Sequence, residues 1–376
     1  MSDLWILAGQ SNMEGCGLLN DLEPSHPNVR MFAFGDKWKL ADEPLHWLQQ
    51  AVDRVHWWNK DDETHKEDIQ NEIKNRIKGC GLGLVFAKAI HAATGVDIDL
   101  LPVAHGGTSL DQWSPEKKDL GGDGSFYYAM IRRTKLALET RPEAKLRGVL
   151  WYQGESDCNP TASRLYREKT LDLIRAIRED LQAPELPFYL VQLGCLVNPE
   201  PHAPTDVATW NIVREDERLI PSLIANTAVV PAIDFDLDDG IHISTASQKR
   251  LGQRFANIAL REVYSKETPT AIDVASVRRD GATKVIVTFS GVNGTLVVPD
   301  KAGRIHGFGI STASRDHEAG FIYKAKLTGA NEVTLLLNGE MAADAKIWYG
   351  FGFNPVCQLT DTADMAVPTF GPIAIA

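Results

Sequence analysis

The stretch Leu4-Trp5-Ile6-Leu7-Ala8-Gly9-Gln10-Ser11-Asn12-Met13 decides the fold. Its first five residues are an unbroken apolar run of strand length, closed by a glycine, and a serine follows two positions later. Such a strand delivers Ser11 to its C-terminal tip, the edge of an α/β sheet where ligand crevices form. Further apolar runs at Ile98–Ala104, Leu146–Tyr152, Phe188–Leu193 and Ala228–Ile233 alternate with helical patterns at Leu84–Ala93, Phe126–Glu139, Ala162–Leu181, Val207–Leu219 and Ser247–Val263. That alternation predicts an α/β fold, a parallel sheet covered by helices on both faces.

The texture changes after Tyr264. Short β-rich runs at Lys284–Phe289, Thr295–Val298, Phe321–Leu327, Val333–Leu337 and Lys346–Gly350 are separated by Gly, Asp and Asn, the pattern of an antiparallel sandwich or barrel. A chain of 376 residues with 44% hydrophobic content exceeds what one compact core usually holds. The expected division is therefore 1–264 and a smaller β-rich, sandwich-like 271–376, joined by a linker at Ser265–Thr270. Packing or dimerisation is the favoured role of the smaller part, above contact with a sugar.

A serine hydroxyl is a weak nucleophile at neutral pH and needs an imidazole to take its proton and a carboxylate to fix the imidazole's tautomer. Asp239-Gly240-Ile241-His242 offers both in one turn, which points Ser11, His242 and Asp239 toward hydrolase chemistry. An isolated serine after a strand is ordinarily a helix cap, and the distant Asp-x-x-His is what overturns that reading. The chain has no G-x-S-x-G, which argues against the nucleophile elbow of α/β-hydrolases.

Four blocks now carry a resemblance. Gly9-Gln10-Ser11-Asn12-Met13, Gly106-Gly107-Thr108-Ser109, Trp151-Tyr152-Gln153-Gly154-Glu155-Ser156-Asp157 and Asp239-Gly240-Ile241-His242 resemble, in order and spacing, those of SGNH-type esterases, in the carbohydrate acetylesterase branch that includes sialate O-acetylesterases and some acetyl xylan esterases. The resemblance implies an SGNH-hydrolase (flavodoxin-like) catalytic fold over roughly the first 260 residues. It also implies an oxyanion hole from the amides of Ser11 and Gly107. Many SGNH enzymes add an asparagine from a Gly-x-Asn-Asp block. Here the sequence is Gly154-Glu155-Ser156-Asp157, and the resemblance points to the Gln153 amide as the replacement donor. Gln10, Trp113 and Glu155 are the candidate substrate contacts. The activity implied is a serine O-acetylesterase on an acetylated carbohydrate, working without metal or cofactor. The alternatives are a short-chain aryl or lipid esterase, an acetyltransferase, and a non-catalytic carbohydrate-binding protein on an esterase scaffold.

Between Trp38 and Lys78 the α/β rhythm is interrupted by Trp38, Trp47, Trp57 and Trp58 and by a charged run from Lys60 to Asp68. At least one of these tryptophans is expected to line a sugar-binding rim, although burial is the better reading of each taken singly, and the charge run reads as a solvated helix face. Glu155 and Asp157 have the spacing of local loop organisers more than of a glycosidase acid/base pair. Gly79-Cys80-Gly81-Leu82-Gly83-Leu84 lacks the last glycine of a dinucleotide fingerprint and reads as a turn opening a helix. A net charge of -11 excludes a broad basic footprint for nucleic acid. No apolar stretch approaches membrane-spanning length. The five cysteines show no metal spacing and are expected as free thiols. No signal peptide precedes Met1, so the cytoplasm is the favoured compartment, with secretion the alternative if a leader has been removed.

Overall fold

The computed structural model describes residues 1–57, 62–197, 205–312, 315–318 and 321–376. At its centre lies β1 (Ser2–Gly9), every residue of which is buried. Burial on both faces is what an apolar run without alternation requires. The other strands of this sheet are β2 (Val29–Ala33), β3 (Lys37–Leu40), β4 (Asp97–Pro102), β5 (Ala144–Tyr152), β6 (Phe188–Gln192) and β7 (Thr227–Pro231), in the spatial order β3-β2-β4-β1-β5-β6-β7. All pairings are parallel except that of the edge strand β3 with β2. After β1 the chain leaves toward β2 and β4, whereas after β5 it leaves toward β6. The crevice between these diverging connections lies beyond the tips of β1 and β5, where ligands bind in open α/β sheets.

The helices that concern the site and its support are α1 (Ser11–Glu14), α2 (Asp62–Asn75), α3 (Gly83–Thr94), α4 (Phe126–Thr140), α5 (Tyr166–Asp180), α6 (Val207–Leu223) and α7 (Thr245–Glu262). Local chemistry sets several of their starts. The Ser125 and Ser244 hydroxyls accept from the amides of Tyr128 and Ser247, and Asp206 opens α6 with a capping box completed by Thr209. Helix α3 packs on α7 so closely that a Cβ at Gly252 would lie 2.5 Å from the Leu82 carbonyl oxygen. Strands β2 and β3 are elements beyond those expected. They lie before and at the start of the stretch that reads as an interruption, and within it α2 carries much of the charged run expected as a helix face, while Trp58 lies outside the described residues.

After α7, residues 263–272 run along that helix. Arg261 donates to the Thr268 carbonyl and the Thr268 hydroxyl to the Asn257 carbonyl. Two four-stranded antiparallel sheets follow. One joins Asp273–Arg279, Lys284–Ser290, Glu332–Leu337 and Ile322–Gly329, and the other Arg315–Glu318, Phe308–Thr312, Lys346–Tyr349 and Phe370–Ala374. Phe289 of one and Phe370 of the other lie 6.3 Å apart, centroid to centroid. Their apolar faces share one buried cluster with the central sheet. Arg214, on α6, is buried at this join and donates to the carbonyls of Leu193, Gly194, Gly352 and Phe353. The five cysteines are free thiols, and burial pushes Cys16 and Cys80 each up to about 12.

Candidate active site

Strand β1 ends at Gly9, whose φ of 133° and contact with β5 both require glycine: a Cβ there would stand 2.1 Å from the Tyr152 carbonyl oxygen. The next amide, of Gln10, donates to that carbonyl at 2.8 Å, and the chain turns at once into α1 with Ser11 as its first residue. The Ser11 hydroxyl is thereby placed over the crevice.

His242 Nε2 lies 3.0 Å from Ser11 Oγ, and His242 Nδ1 lies 2.8 Å from Asp239 Oδ2. The Asp239 carboxylate closes its own turn by accepting from the amides of Ile241 and His242 through Oδ1, at 3.0 and 2.9 Å. Its Oδ2 also accepts from Lys78 Nζ at 2.6 Å. Partial burial pushes the Asp239 carboxyl up, but the hydrogen bonds from Lys78, His242 and the two amides outweigh that and hold it well below the usual carboxylate range. The hydrogen bond to Asp239 in turn raises the Lys78 ammonium. The arrangement can ionise the carboxylate, orient the ring and accept the serine proton.

Asn12 joins the blocks. Its Nδ2 donates to Glu155 Oε1 at 2.8 Å and to the Ile241 carbonyl at 3.3 Å, while its Oδ1 accepts from the Ile243 amide at 3.0 Å. Glu14 Oε2 accepts from the Gly106 amide at 2.9 Å, and Arg76 lies 4.0 Å from Glu14 Oε1 with its guanidinium 4.9 Å from the centre of the Trp47 ring. Gly107 has a φ of 71°, and open space lies where a Cβ would stand. Among the described residues, the amides of Ser11 and Gly107 donate to no other group.

Four residues take places other than those expected. Gln153 is fully buried, and its amide nitrogen already faces Asp157 Oδ2 at 2.7 Å, the Thr108 carbonyl at 3.0 Å and Gln10 Oε1 at 3.3 Å. Two amide protons against three acceptors leave none for an oxyanion in this arrangement. The Gln10 side chain is turned to the Gln153–Ser156 loop, where its oxygen accepts from the amides of Gly154 and Ser156. Trp113 is fully buried, donates to Thr108 Oγ1 at 2.8 Å and packs edge-on against Trp151, so it is a core residue under the Gly107 loop and not a substrate contact. Glu155 faces Asn12, its second oxygen is buried without a hydrogen-bond partner among the described residues, and burial raises its carboxyl. Asp157 accepts from the Leu110 amide at 2.8 Å as well as from Gln153. The two carboxylates brace the loop.

Trp38 sits far from Ser11, donating to Thr140 Oγ1 at the end of α4 that leads into the start of β5, and Trp57 donates to the Ala51 carbonyl. Trp47 is linked to the site through Arg76 and Glu14. Lys78, Glu14, Arg76 and Asn12 were not assigned roles from sequence. Asn12 and Glu14 lie within one helical turn of Ser11, which is a usable signal. Lys78 is 161 residues from Asp239, and nothing in the sequence joins them. A cavity of about 390 Å³, lined by Tyr189, Arg218, Thr227, Ile258 and Ile272, opens by the starts of β6 and β7, at the opposite end of the sheet from the triad.

The family model described as carbohydrate esterase, sialic acid-specific acetylesterase, matches residues 1–261. The chain belongs to this family. This carbohydrate esterase is 27% identical over 282 residues to a probable carbohydrate esterase of Arabidopsis thaliana, a match covering 69% of this chain and 90% of the relative. A solved structure of an Arabidopsis thaliana protein matches with a TM-score of 0.54 at 25% identity, covering 69% of this chain and 98% of that one. A carbohydrate acetylesterase from Xanthomonas citri has the same fold over 98% of this chain and 80% of its own, with a TM-score of 0.69 at 22% identity. The esterase is thus a carboxylic ester hydrolase of the carbohydrate acetylesterase class. Among its described residues no helix is long and apolar enough to cross a membrane.

Proposed function

We propose that this esterase removes acetyl groups from a carbohydrate through an acyl-enzyme on Ser11. The supporting observation is the continuous chain Ser11 Oγ, His242 Nε2, His242 Nδ1, Asp239 Oδ2, with contacts of 3.0 and 2.8 Å. Ser11 Oγ attacks the acetyl carbonyl while His242 takes its proton. The same proton passes to the sugar oxygen as the tetrahedral intermediate collapses. Water then attacks the acetyl-serine, His242 takes a proton from it, acetate leaves, and Ser11 recovers its proton. Asp239 fixes the ring and balances the charge of the imidazolium. The free amides of Ser11 and Gly107 are the donors for the oxyanion, each of a kind worth roughly 2.7–4 kcal/mol in the transition state.

The test is acetate release from O-acetylated sialic acid, acetylated xylan and 4-nitrophenyl acetate, with and without a chelator. Ser11→Ala is expected to lower kcat by at least about 10³-fold on every substrate, with chelation leaving the wild type unchanged. Release that persists in Ser11→Ala would overturn the mechanism. The ranking of the two glycans names the sugar.

A further inference from the structure

The donors on Asp239 fall into two kinds. The amides of Ile241 and His242 and the ring of His242 belong to the same turn and move with it. Lys78 comes from another part of the chain, on a strand (Lys78–Cys80) that pairs with Gly17–Leu18 just after α1. That small sheet is itself tied to the catalytic turn, since the Leu18 amide donates to Asp238 Oδ2 at 3.0 Å and Thr245 Oγ1 to the Leu18 carbonyl at 2.7 Å. The strand carrying Lys78 therefore has a fixed register relative to Asp239.

We propose that Lys78 is a positioning residue of the active site, its ammonium pinning Asp239 Oδ2 so that the carboxylate keeps His242 aimed at Ser11. Lys78 does not touch the reacting atoms and acts through Asp239. Its charge also has a cost to the relay. An ammonium shared with the carboxylate leaves less negative charge to balance the imidazolium, so Lys78 trades base strength for geometry. The other charged or titratable groups around this cluster are Asp238, Cys16, Glu14 and Arg76 beside Lys78 and Asp239, and Glu155 on the side of His242. Removing Lys78 thus leaves Asp238, Glu14 and Glu155 around the cluster, with Arg76 beside Glu14. The prediction has a definite sign: without Lys78 the imidazole takes up its proton at higher pH.

The experiment compares wild type, Lys78→Met and Lys78→Arg by pH profiles of kcat/KM on 4-nitrophenyl acetate. The same three proteins, labelled with ¹⁵N-histidine, are titrated by NMR, with the His242 signal assigned by its loss in His242→Gln. In Lys78→Met the acid limb and the His242 titration are expected to move together to higher pH by about half a unit or more, and kcat to fall about ten-fold as orientation is lost, with KM little changed. Lys78→Arg is expected to return both midpoints toward wild type. Unchanged midpoints together with an unchanged kcat in Lys78→Met would reduce Lys78 to an exposed ion pair of no consequence, and a fall in kcat that comes without a shift and that Arg does not repair would be a general structural loss; either overturns the proposal. The inference rests on the serine mechanism, yet the titration is read without turnover. An inactive wild type would overturn that mechanism while leaving the Lys78 result readable.

Discussion

The two sides of the site hold their carboxylates in opposite ways. Asp239 keeps about a third of its side chain in solvent, 32%, and is surrounded by donors that keep it ionised. Asp157 is 1% exposed, and burial pushes both it and Glu155 up, away from the charged form. A group that must balance an imidazolium at neutral pH has to stay charged. One that shapes a loop needs only to accept hydrogen bonds from fixed amides. Side chains that sit in adjacent motif blocks can therefore serve chemistry on one side of Ser11 and architecture on the other, and burial separates the two.

The sharpest way to break this contrast is Asp239→Asn. The amide can satisfy the turn but presents a donor to His242 Nδ1, and kcat/KM is expected to fall roughly 10³- to 10⁴-fold. The same substitution has a pH signature in stability. The folded carboxyl lies below its ordinary value of about 3.9, so Asp239 contributes stability above that pH and loses it as pH falls through the folded value. The gap in Tm between wild type and Asp239→Asn should accordingly hold from neutral pH down to about 4 and narrow as the pH falls further in thermal melts.

On the buried side the effects should be smaller and structural. Gln153→Ala leaves acceptors on Asp157, Thr108 and Gln10 short of a donor, and is expected to cost about 1–3 kcal/mol of stability, with kcat lowered less than about 100-fold. A fully stable variant with a larger loss of kcat would return Gln153 to the oxyanion hole. Smallest of all is Trp113→Phe, which gives up one buried hydrogen bond to Thr108 for about 1 kcal/mol. Its KM for an acetylated sugar should match that of the wild type, and a rise would place the ring in the cleft after all.

Much of this architecture can be read from the chain because buried parallel strands are written as plain apolar runs. β1, β5, β6 and β7 are such runs, and the triad candidates sit at strand tips or in a short turn where spacing is informative. The elements that escaped are those whose identity depends on partners. Val29–Ala33 and Lys37–Leu40 form an edge hairpin too short for periodicity, and Asp273–Arg279 is a half-exposed strand with charged residues at its end. The misplacement of Trp113 has a related cause. Closeness to Gly107 in sequence fixes its distance from the site but not the direction of its ring, which Thr108 and Trp151 decide.

Arg214 bears on the relation between the two parts of the molecule. Its guanidinium divides its hydrogen bonds between carbonyls at the tip of β6 and carbonyls of Gly352 and Phe353, more than 130 residues further on. A buried cation tolerates no half-empty shell of acceptors, so neither part can loosen at this point without stranding a charge inside the other. The β-rich portion is thus a strut built into the hydrolase, not a passenger on a tether, and strain applied to one half of the chain is felt at the sheet that carries the crevice.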